Sequence, residues 1–556
     1  MRAFAHLLDR VQLAQSRNAK LRLVRDYLQA APDPERGWAL GALTGDLSFN
    51  AAKPAAIRKL IEARMDPVLF GWSYDFVGDL ADTVALCWPA KPGANREPDL
   101  DEVVDALRAS HRAAAPALIE GWLDALDADG RWALLKLLTR ELRVGLSARL
   151  AKTAAADLAA LYGHAVDVSE IEEVWHAVEP PYAELFAWLE GRGPRPDPDQ
   201  PGRFRPVMLA QPLDEAVDLT RLDPAAYAAE WKWDGIRVQA VREAGVCRLW
   251  SRSGEEISGA FPDLVSAFRF EGALDGELLV LRPQDDGRLH VAPFGDLQQR
   301  LNRKAVSDRT AAAFPAAIRA YDILAADGED LRALPFGERR TRLERFVEAH
   351  AAAGGERLDL SPLVPFDSWE ALAAIRAAPP DGDPAAAEGL MLKRWDSAYE
   401  AGRPKGPWFK WKRDALLVDA VMMYAQRGHG KRSSFYSDYT FGVWDEGALT
   451  PVGKAYSGYT DEELKKLDRF VRDNTTDRFG PVRAVRADRG FGLVLEVAFE
   501  GLQRSTRHKS GVAMRFPRIA RIRWDKPAAE ADTLATLRHT LEAMETGRAA
   551  APPIPR

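Results

Sequence analysis

The pattern of apolar and polar positions divides the chain into three textures. From residue 1 to about 190, apolar residues recur at helical spacing: Leu21, Val24 and Leu28 in one stretch, Leu134, Leu138 and Leu142 in another. Strand-like alternation is scarce there, so an all-α domain is expected over 1–190. Residues 191–202 are rich in Gly, Pro and Asp, cannot form the interior of a helix or strand, and read as a linker. After it the period changes. Residues 227–241 and 246–251 read as strands around a turn at Glu243-Ala244-Gly245. Residues 274–281 and 319–324 are further short strands, and 337–350 is an amphipathic helix. This mixture predicts an α+β unit with an antiparallel sheet over 203–412, not repeated βαβ units. From 413 short strands dominate, at 416–425, 439–444 and 493–499, with one helix at 461–474. A strand-rich unit of that size with one inserted helix suggests a small β-barrel such as an OB-fold over 413–540. Residues 541–556, which end in Ala-Ala-Ala-Pro-Pro-Ile-Pro-Arg, read as a disordered tail.

Composition narrows the class. A chain of 556 residues exceeds one core and predicts three or four domains. Two cysteines, Cys87 and Cys247, exclude a disulfide scaffold and a four-Cys zinc site, and fit a reducing cytosol. The first ten residues have no continuous apolar core, so no signal peptide is expected, and no apolar run is long enough to span a membrane. A net charge of −6 argues against a wholly basic nucleic-acid binder but leaves room for local basic surfaces.

The densest chemical signal is Glu230-Trp231-Lys232-Trp233-Asp234-Gly235-Ile236-Arg237. Lys-x-Asp-Gly-x-Arg places an amine where a strand meets a Gly turn, beside a carboxylate and a guanidinium. Average residue usage produces this match in on the order of one chain of such length in a few hundred. Alone it reads equally well as a surface lysine at a strand end. Downstream come Ser251-Arg252-Ser253-Gly254, Asp275-Gly276-Glu277-Leu278 and Ala320-Tyr321-Asp322-Ile323-Leu324. They are followed by Glu388-Gly389-Leu390-Met391-Leu392-Lys393 and by Trp408-Phe409-Lys410-Trp411-Lys412, whose alternation puts both lysines on one strand face. The series closes with Arg515-Phe516-Pro517-Arg518, Arg521 and Arg523-Trp524-Asp525-Lys526. No Gly-x-x-x-x-Gly-Lys-Ser/Thr loop is present, so a P-loop holds no nucleotide here.

This order resembles the covalent nucleotidyltransferases, most closely the ATP-dependent DNA ligases with an N-terminal DNA-binding domain, and the resemblance covers nearly the whole chain. The Leu137–Ser147 stretch, with Arg140, Arg143 and Gly145, is similar to that family's segment in its helical domain. The resemblance implies that Lys232 attacks the α-phosphate of ATP and carries AMP, which then passes to the 5′-phosphate of a nick before the 3′-hydroxyl attacks. It implies Lys393, Lys410 and Lys412 as the positive field on the phosphates, with Glu277 and Glu388 as ligands for Mg²⁺, or Mn²⁺ in its place, or as acceptors for the ribose. It implies Tyr321 stacked on adenine, Glu230 at the adenine, Arg237 and Arg252 at the ribose and phosphates, and Arg523, Asp525 and Lys526 on the leaving pyrophosphate. The family's usual Arg six residues before the first lysine of the Lys410 segment is Pro404 here, leaving Arg403 or Lys405 for that role.

Nicked duplex DNA is the implied partner, held by phosphate contacts that leave sequence unread. Candidates are Arg140, Arg143 and Ser147 in the helical domain, and Arg427, Lys431 and Arg432 in the barrel; a second barrel cluster comprises Arg504, Arg507, His508 and Lys509. Each also reads as a solvated surface loop. Trp231 and Trp233 read as core or wall residues, Cys247 as a buried strand residue. A cytoplasmic monomer is expected. An RNA ligase or GTP-dependent capping enzyme shares the lysine run but usually lacks the helical domain. A non-catalytic nick-binding clamp does not need the lysines and carboxylates. An NAD-dependent ligase needs a Cys-rich zinc module that two cysteines cannot build.

Overall fold

The computed structural model describes the chain apart from residues 50–52, 78, 92, 94–95, 112, 141, 199, 284–288, 302, 304, 352–356, 381, 384–386, 429–434, 480–481, 506–507 and 546–556. It divides into two compact units, Met1–Gln200 and Pro201–Arg556.

The described part of the first unit contains helices and no strand. Its core takes the apolar stripe of each helix: Val24 and Leu28 are fully buried, as are Leu134 and Leu135, with Leu138 nearly so. Helix boundaries follow side-chain chemistry. Asp127 accepts from the Gly130 amide to start Ala128–Thr139, and Ser147 accepts from the Leu150 amide to start Ala148–Ala159. Between them the chain turns with Arg140 at φ 58°, Arg143 at φ 45° and Gly145 at φ 66°. Two left-handed arginines in one connection are unusual for residues bearing a Cβ. Lys20 donates to the carbonyls of Val144 and Gly145 at 3.0 and 2.7 Å, and Arg140 Nη2 donates to Gly45 O at 2.9 Å, which holds the turn. Elsewhere in this unit, Arg36 is buried between Asp33 and Glu190 and lies 4.3 Å over the Phe186 ring. Removing it leaves the buried Glu190 carboxylate to Arg192 alone, whose Nε donates to it at 2.7 Å, and removes the stacking on Phe186. Arg36→Ala should therefore destabilise this unit by about 2 kcal/mol. Calorimetry of the full chain should show its transition falling while that of the second unit holds.

The second unit begins with two sheets. The first runs, in spatial order, Gln211–Pro212, Trp408–Lys412, Gly389–Arg394, Tyr227–Trp231 and Leu363–Val364. The second runs Val246–Ser251, Ile236–Glu243, Gly272–Pro283, Ala316–Ala326 and Glu329–Asp330, with Leu289–Val291 and Leu358–Leu360 added at its sides. Most pairings are antiparallel; Gln211–Pro212 and Leu358–Leu360 join in parallel. The expected single strand over 227–241 is a finding to correct: it breaks after Trp231 and resumes at Ile236 in the other sheet. Residues 232–235 are the crossing between sheets. The helix Phe336–Ala351 covers the expected 337–350.

The remaining strands form a third, antiparallel sheet, apart from Gly501–Arg504 and Val512–Arg515, which pair with each other as a two-stranded hairpin. Its long strand Leu416–Arg427 pairs with Tyr436–Asp445 along one side. On its other side it pairs first with Val494–Phe499 and then with Val482–Val485, so the sheet curls around it. Register shifts at Met422/Tyr424 and Gln426/Arg427 add to that bend. Helix Asp461–Asp473 starts at a Thr460/Glu463 capping box and buries Leu464, Leu467 and Val471. Helix Leu534–Glu545 takes in the first five residues of the tail expected over 541–556, and the rest of it lies outside the described residues. Leu534, Leu537 and Leu541 fall at helical spacing and all join the sheet's core.

Candidate active site

Register alone sorts the first sheet into a core face and a chemical face. Met391 lies opposite Glu230 on one side and Lys410 on the other. Alternation then places Glu230, Lys232, Met391, Lys393, Lys410 and Lys412 on one face. Ala229, Trp231, Leu390, Leu392, Phe409 and Trp411 occupy the other, which is packed core. Lys232 continues the ladder past the strand's end: its amide donates to Gly389 O at 2.8 Å and its carbonyl accepts from the Glu388 amide at 2.7 Å. Gly389, at φ 139°, permits this because a Cβ there would lie 2.3 Å from Trp411 O. Gly235 permits the next step, since a Cβ there would lie 2.4 Å from Leu278 O as the chain enters the second sheet.

The backbone pairing puts the Lys232 ammonium in an ion pair with Glu388. A cavity of about 440 Å³ opens beside them, lined from the two sheets by Lys232, Asp234, Glu277, Glu388 and Lys412. From the third sheet's side, the hairpin of Gly501–Arg504 and Val512–Arg515 reaches the same cavity. Arg515 pairs with Asp234, has Nη2 3.7 Å from Glu388 Oε1, and sits 4.8 Å over the Phe294 ring. Glu500, one residue before the hairpin, receives Lys412 Nζ at 2.7 Å. Burial pushes the Glu277 carboxyl up to about 8, helped by Glu388 and Asp234 against Lys232 and Arg237. Burial acts the same way on Glu388, but Lys232, Lys412 and Arg515 outweigh it and hold that carboxyl low.

A second group of charges is of one sign. Burial lowers Lys410, and the charges of Lys412, Arg403, Lys232 and Arg252 lower it further. Burial, Arg237 and Arg403 likewise lower Arg252. Among the described residues no carboxylate forms an ion pair with Arg252, Arg403 or Lys410. Arg403 owes its place to Gly402, which exchanges hydrogen bonds with the backbone at Val207 and Leu209. Arg403 is among the charges that act most on Lys410.

Deeper in the cleft the polar groups are saturated. Lys393 is 1% exposed; its Nζ is 2.7 Å from Glu230 Oε2 and donates to Tyr321 O at 2.9 Å. Arg340 takes the other oxygen of Glu230 at 3.0 Å. Arg237 gives four hydrogen bonds, two to Asp275, one to the Tyr399 hydroxyl and one to Met208 O, which leaves one of its five N–H groups. Tyr321 stands between these layers, its ring 4.7 Å from Lys393 Nζ and 6.0 Å from the Arg237 Cζ. A β-bulge aims it: Asp275 pairs with Asp322 and Gly276 with Ala320, so Tyr321 is the extra residue.

Comparison with known proteins follows from this arrangement. Residues 207–412 match the family described as ATP dependent DNA ligase domain, and 432–526 match ATP dependent DNA ligase C terminal region. A protein named probable DNA ligase from Koribacter versatilis is 31% identical over 96% of this chain and 95% of its own length. One from Anaeromyxobacter sp. (strain Fw109-5) is 34% identical over 95% of this chain and 96% of its own. The chain belongs to the ATP-dependent DNA ligases. A further probable DNA ligase, from Opitutus terrae, is 32% identical over 99% of this chain, but the match spans 63% of that longer protein. A solved chain titled Pmar-Lig_Pre. shares the fold, with a TM-score of 0.59 over 94% of this chain and 99% of its own at 15% identity.

Not every residue expected at the site reaches the ligase's cavity. Lys232, Glu277, Glu388 and Lys412 line it; Lys393 and Glu230 are consumed by each other in the layer beneath. Arg523 and Lys526 are held by Asp419, with Lys526 Nζ at 2.6 Å and Arg523 Nη1 at 3.5 Å, and neither lines the cavity. Arg140, Arg143 and Ser147 lie exposed in the first unit. Arg427 ends its strand with its Cζ 5.8 Å over the Tyr436 ring; Lys431 and Arg432 lie outside the described residues. Sequence reasoning assigned nothing to Asp234, Asp275, Tyr399, Glu500 or Arg515. Asp234 and Asp275 stood within quoted motifs and Arg515 within the arginine cluster, whereas Tyr399 and Glu500 carried no local signal. Trp231 and Trp233 are core, as expected, at 6% and 4% exposure.

Glu277 makes stability depend on pH. Its folded carboxyl, at about 8, keeps a proton that the unfolded chain has released above the ordinary carboxylate range. Stability from this group is full at acid pH and is lost as pH rises towards 8. In EDTA, Tm should fall with pH over that window more steeply in the wild type than in Glu277→Gln; parallel curves would refute the assignment.

Proposed function

We propose that this ligase seals nicks with 5′-phosphate and 3′-hydroxyl ends in duplex DNA through a covalent Lys232-AMP. The observation that carries the reading is a seated amine beside cations that, among the described residues, form no ion pair with a carboxylate. Lys232 shares one sheet face with Lys410, and Arg252 and Arg403 press on the same ammonium. Mutual repulsion of that kind is relieved by a bound polyanion. Lys232 Nζ would bond to the α-phosphorus of ATP as the bond to pyrophosphate breaks, after the ammonium loses a proton. Glu388 orients that nitrogen. Arg252, Arg403 and Lys410 neutralise charge developing on the phosphoryl oxygens. Tyr321, aimed into the cleft by its bulge, stacks on the adenine. Glu230 and Lys393 act through the rigid layer below it. Arg523, Asp525 and Lys526 would meet the pyrophosphate only after a movement of the third sheet.

Glu277 and Glu388, with Asp234 beside them, suit Mg²⁺, which takes one or two carboxylates and fills its other positions with water and phosphate oxygens. When bound it would add positive charge on the triphosphate. The AMP then moves to the 5′-phosphate of the nick, and the 3′-hydroxyl displaces it. The curled third sheet with its capped helix supports an OB-fold over about 413–540. Arg140 and Arg143, in their left-handed turn, together with Ser147 and the α-helix it caps, suit sequence-independent phosphate contacts. A monomer working in the cytoplasm fits two cysteines and the absence, among the described residues, of a helix able to cross a membrane.

Incubation with α-labelled ATP and Mg²⁺ should label the protein, and Lys232→Ala should abolish the label. Labelling of the variant at the wild-type level would remove Lys232 from the role. Arg140→Ala/Arg143→Ala should weaken binding of nicked duplex about tenfold or more while lowering the slope of log K against log salt by roughly one to two. An unchanged slope would mean these arginines do not touch phosphates.

A further inference from the structure

The contact between Glu500 and Lys412 is not explained by the chemistry above. Lys412 stands on the phosphate-facing side of its strand, one alternation from Lys410. Its side chain is 39% exposed and its ammonium is matched by Glu500 Oε2 at 2.7 Å. Glu500 belongs to the third sheet's side of the cavity, where its amide donates to Arg515 O at 2.9 Å at the base of the hairpin. Arg518 lies 3.5 Å from its other oxygen. The hairpin therefore meets the cavity with charges crossed: Arg515 goes to Asp234 and Glu388, and Glu500 goes to Lys412. The two lysines of the strand are thus treated differently. Lys412 is neutralised, whereas Lys410, Arg252 and Arg403 keep their charge for a bound phosphate.

We propose that Glu500 is a positioning residue that withdraws Lys412 from the triphosphate tail while the hairpin is seated. Seating of the hairpin and binding of a fresh ATP then compete for one ammonium. This rests on the ligase chemistry assigned to Lys232. Its consequence is directional: with Lys412 occupied, a second ATP is disfavoured until AMP has left Lys232 and the nick has been sealed. Without Glu500, ATP re-adenylylates Lys232 early, and the enzyme leaves 5′-adenylylated DNA that it can no longer process. The bonds concerned are those of the ordinary reaction, and Glu500 only changes which anion Lys412 meets.

The test uses full-length protein converted to its AMP form, mixed with 5′-labelled nicked duplex and Mg²⁺ over a series of ATP concentrations. The quantity read is the fraction of label left as adenylylated DNA. Glu500→Gln should reach a given fraction at about fivefold less ATP than the wild type, the ratio a partly exposed ion pair supports. With no ATP added it should seal at the wild-type rate, and Glu500→Asp should recover most of the wild-type ATP dependence. An identical ATP dependence in Glu500→Gln and wild type overturns the proposal. So does slower sealing by Glu500→Gln that is independent of ATP, since that marks a contact needed only to hold the hairpin. If the wild type in its AMP form neither transfers AMP to the nick nor seals it, the ligase chemistry fails first and the role of Glu500 falls with it.

Discussion

The site depends on one short piece of antiparallel pairing. Lys232 shares two backbone hydrogen bonds with Glu388 and Gly389, just beyond the last named residue of its strand. That pairing fixes the ammonium beside a carboxylate before any side-chain contact is considered. It also sets where the chain leaves the first sheet. Three residues later Gly235 passes against Leu278 O, closer than any side chain would allow, and the second sheet begins. Lys232 is therefore held at a seam, with one sheet supplying lysines and the other supplying Glu277, Arg237 and Tyr321.

Charge is arranged in layers across that seam. The deep layer is internally satisfied: Glu230 with Lys393 and Arg340, and Asp275 with Arg237 and Tyr399. Breaking such a buried pair leaves an unmatched charge and costs several kcal/mol, about 3–5. Rigidity follows from this, because no member can swing out without stranding its partner. The outer layer is deliberately unsatisfied on one side, where Arg252, Arg403 and Lys410 repel one another, and matched on the other, where the hairpin supplies Arg515 and Glu500. A ligand rich in phosphate can only gain on the first side, and must displace protein on the second.

Much of this architecture could be read from the chain itself. Periodicity located the helical first unit, the helices near 337–350 and 461–474, and the alternation that puts Lys410 and Lys412 on one face. Motif order identified the ligase family and picked Lys232, Glu277, Glu388 and Lys412, which do meet at one cavity. Three expectations changed for a shared reason. The run 227–241 looked like one strand because both segments are apolar and alternate, and the Gly turn within it does not say that the chain passes to another sheet. Lys393 looked like a phosphate ligand because charge counts do not reveal which lysine a buried carboxylate has taken. The tail expected from 541 opens with Leu541, which is buried in the core of the third sheet.

By itself, then, the sequence determined residue types, their order and their local period. These suffice for the secondary elements and for the kind of chemistry, because propensity and motif spacing are short-range properties. Only the tertiary structure decided the pairing of charges. Glu230 and Lys393 are 163 positions apart, and Lys412 and Glu500 are 88 apart. Whether a lysine faces phosphate or a carboxylate depends on which strands become neighbours. The bulge at Tyr321 belongs to the same class, since an extra residue exists only relative to a partner strand. Register and burial are relations between distant segments, so they come into being when the sheets assemble.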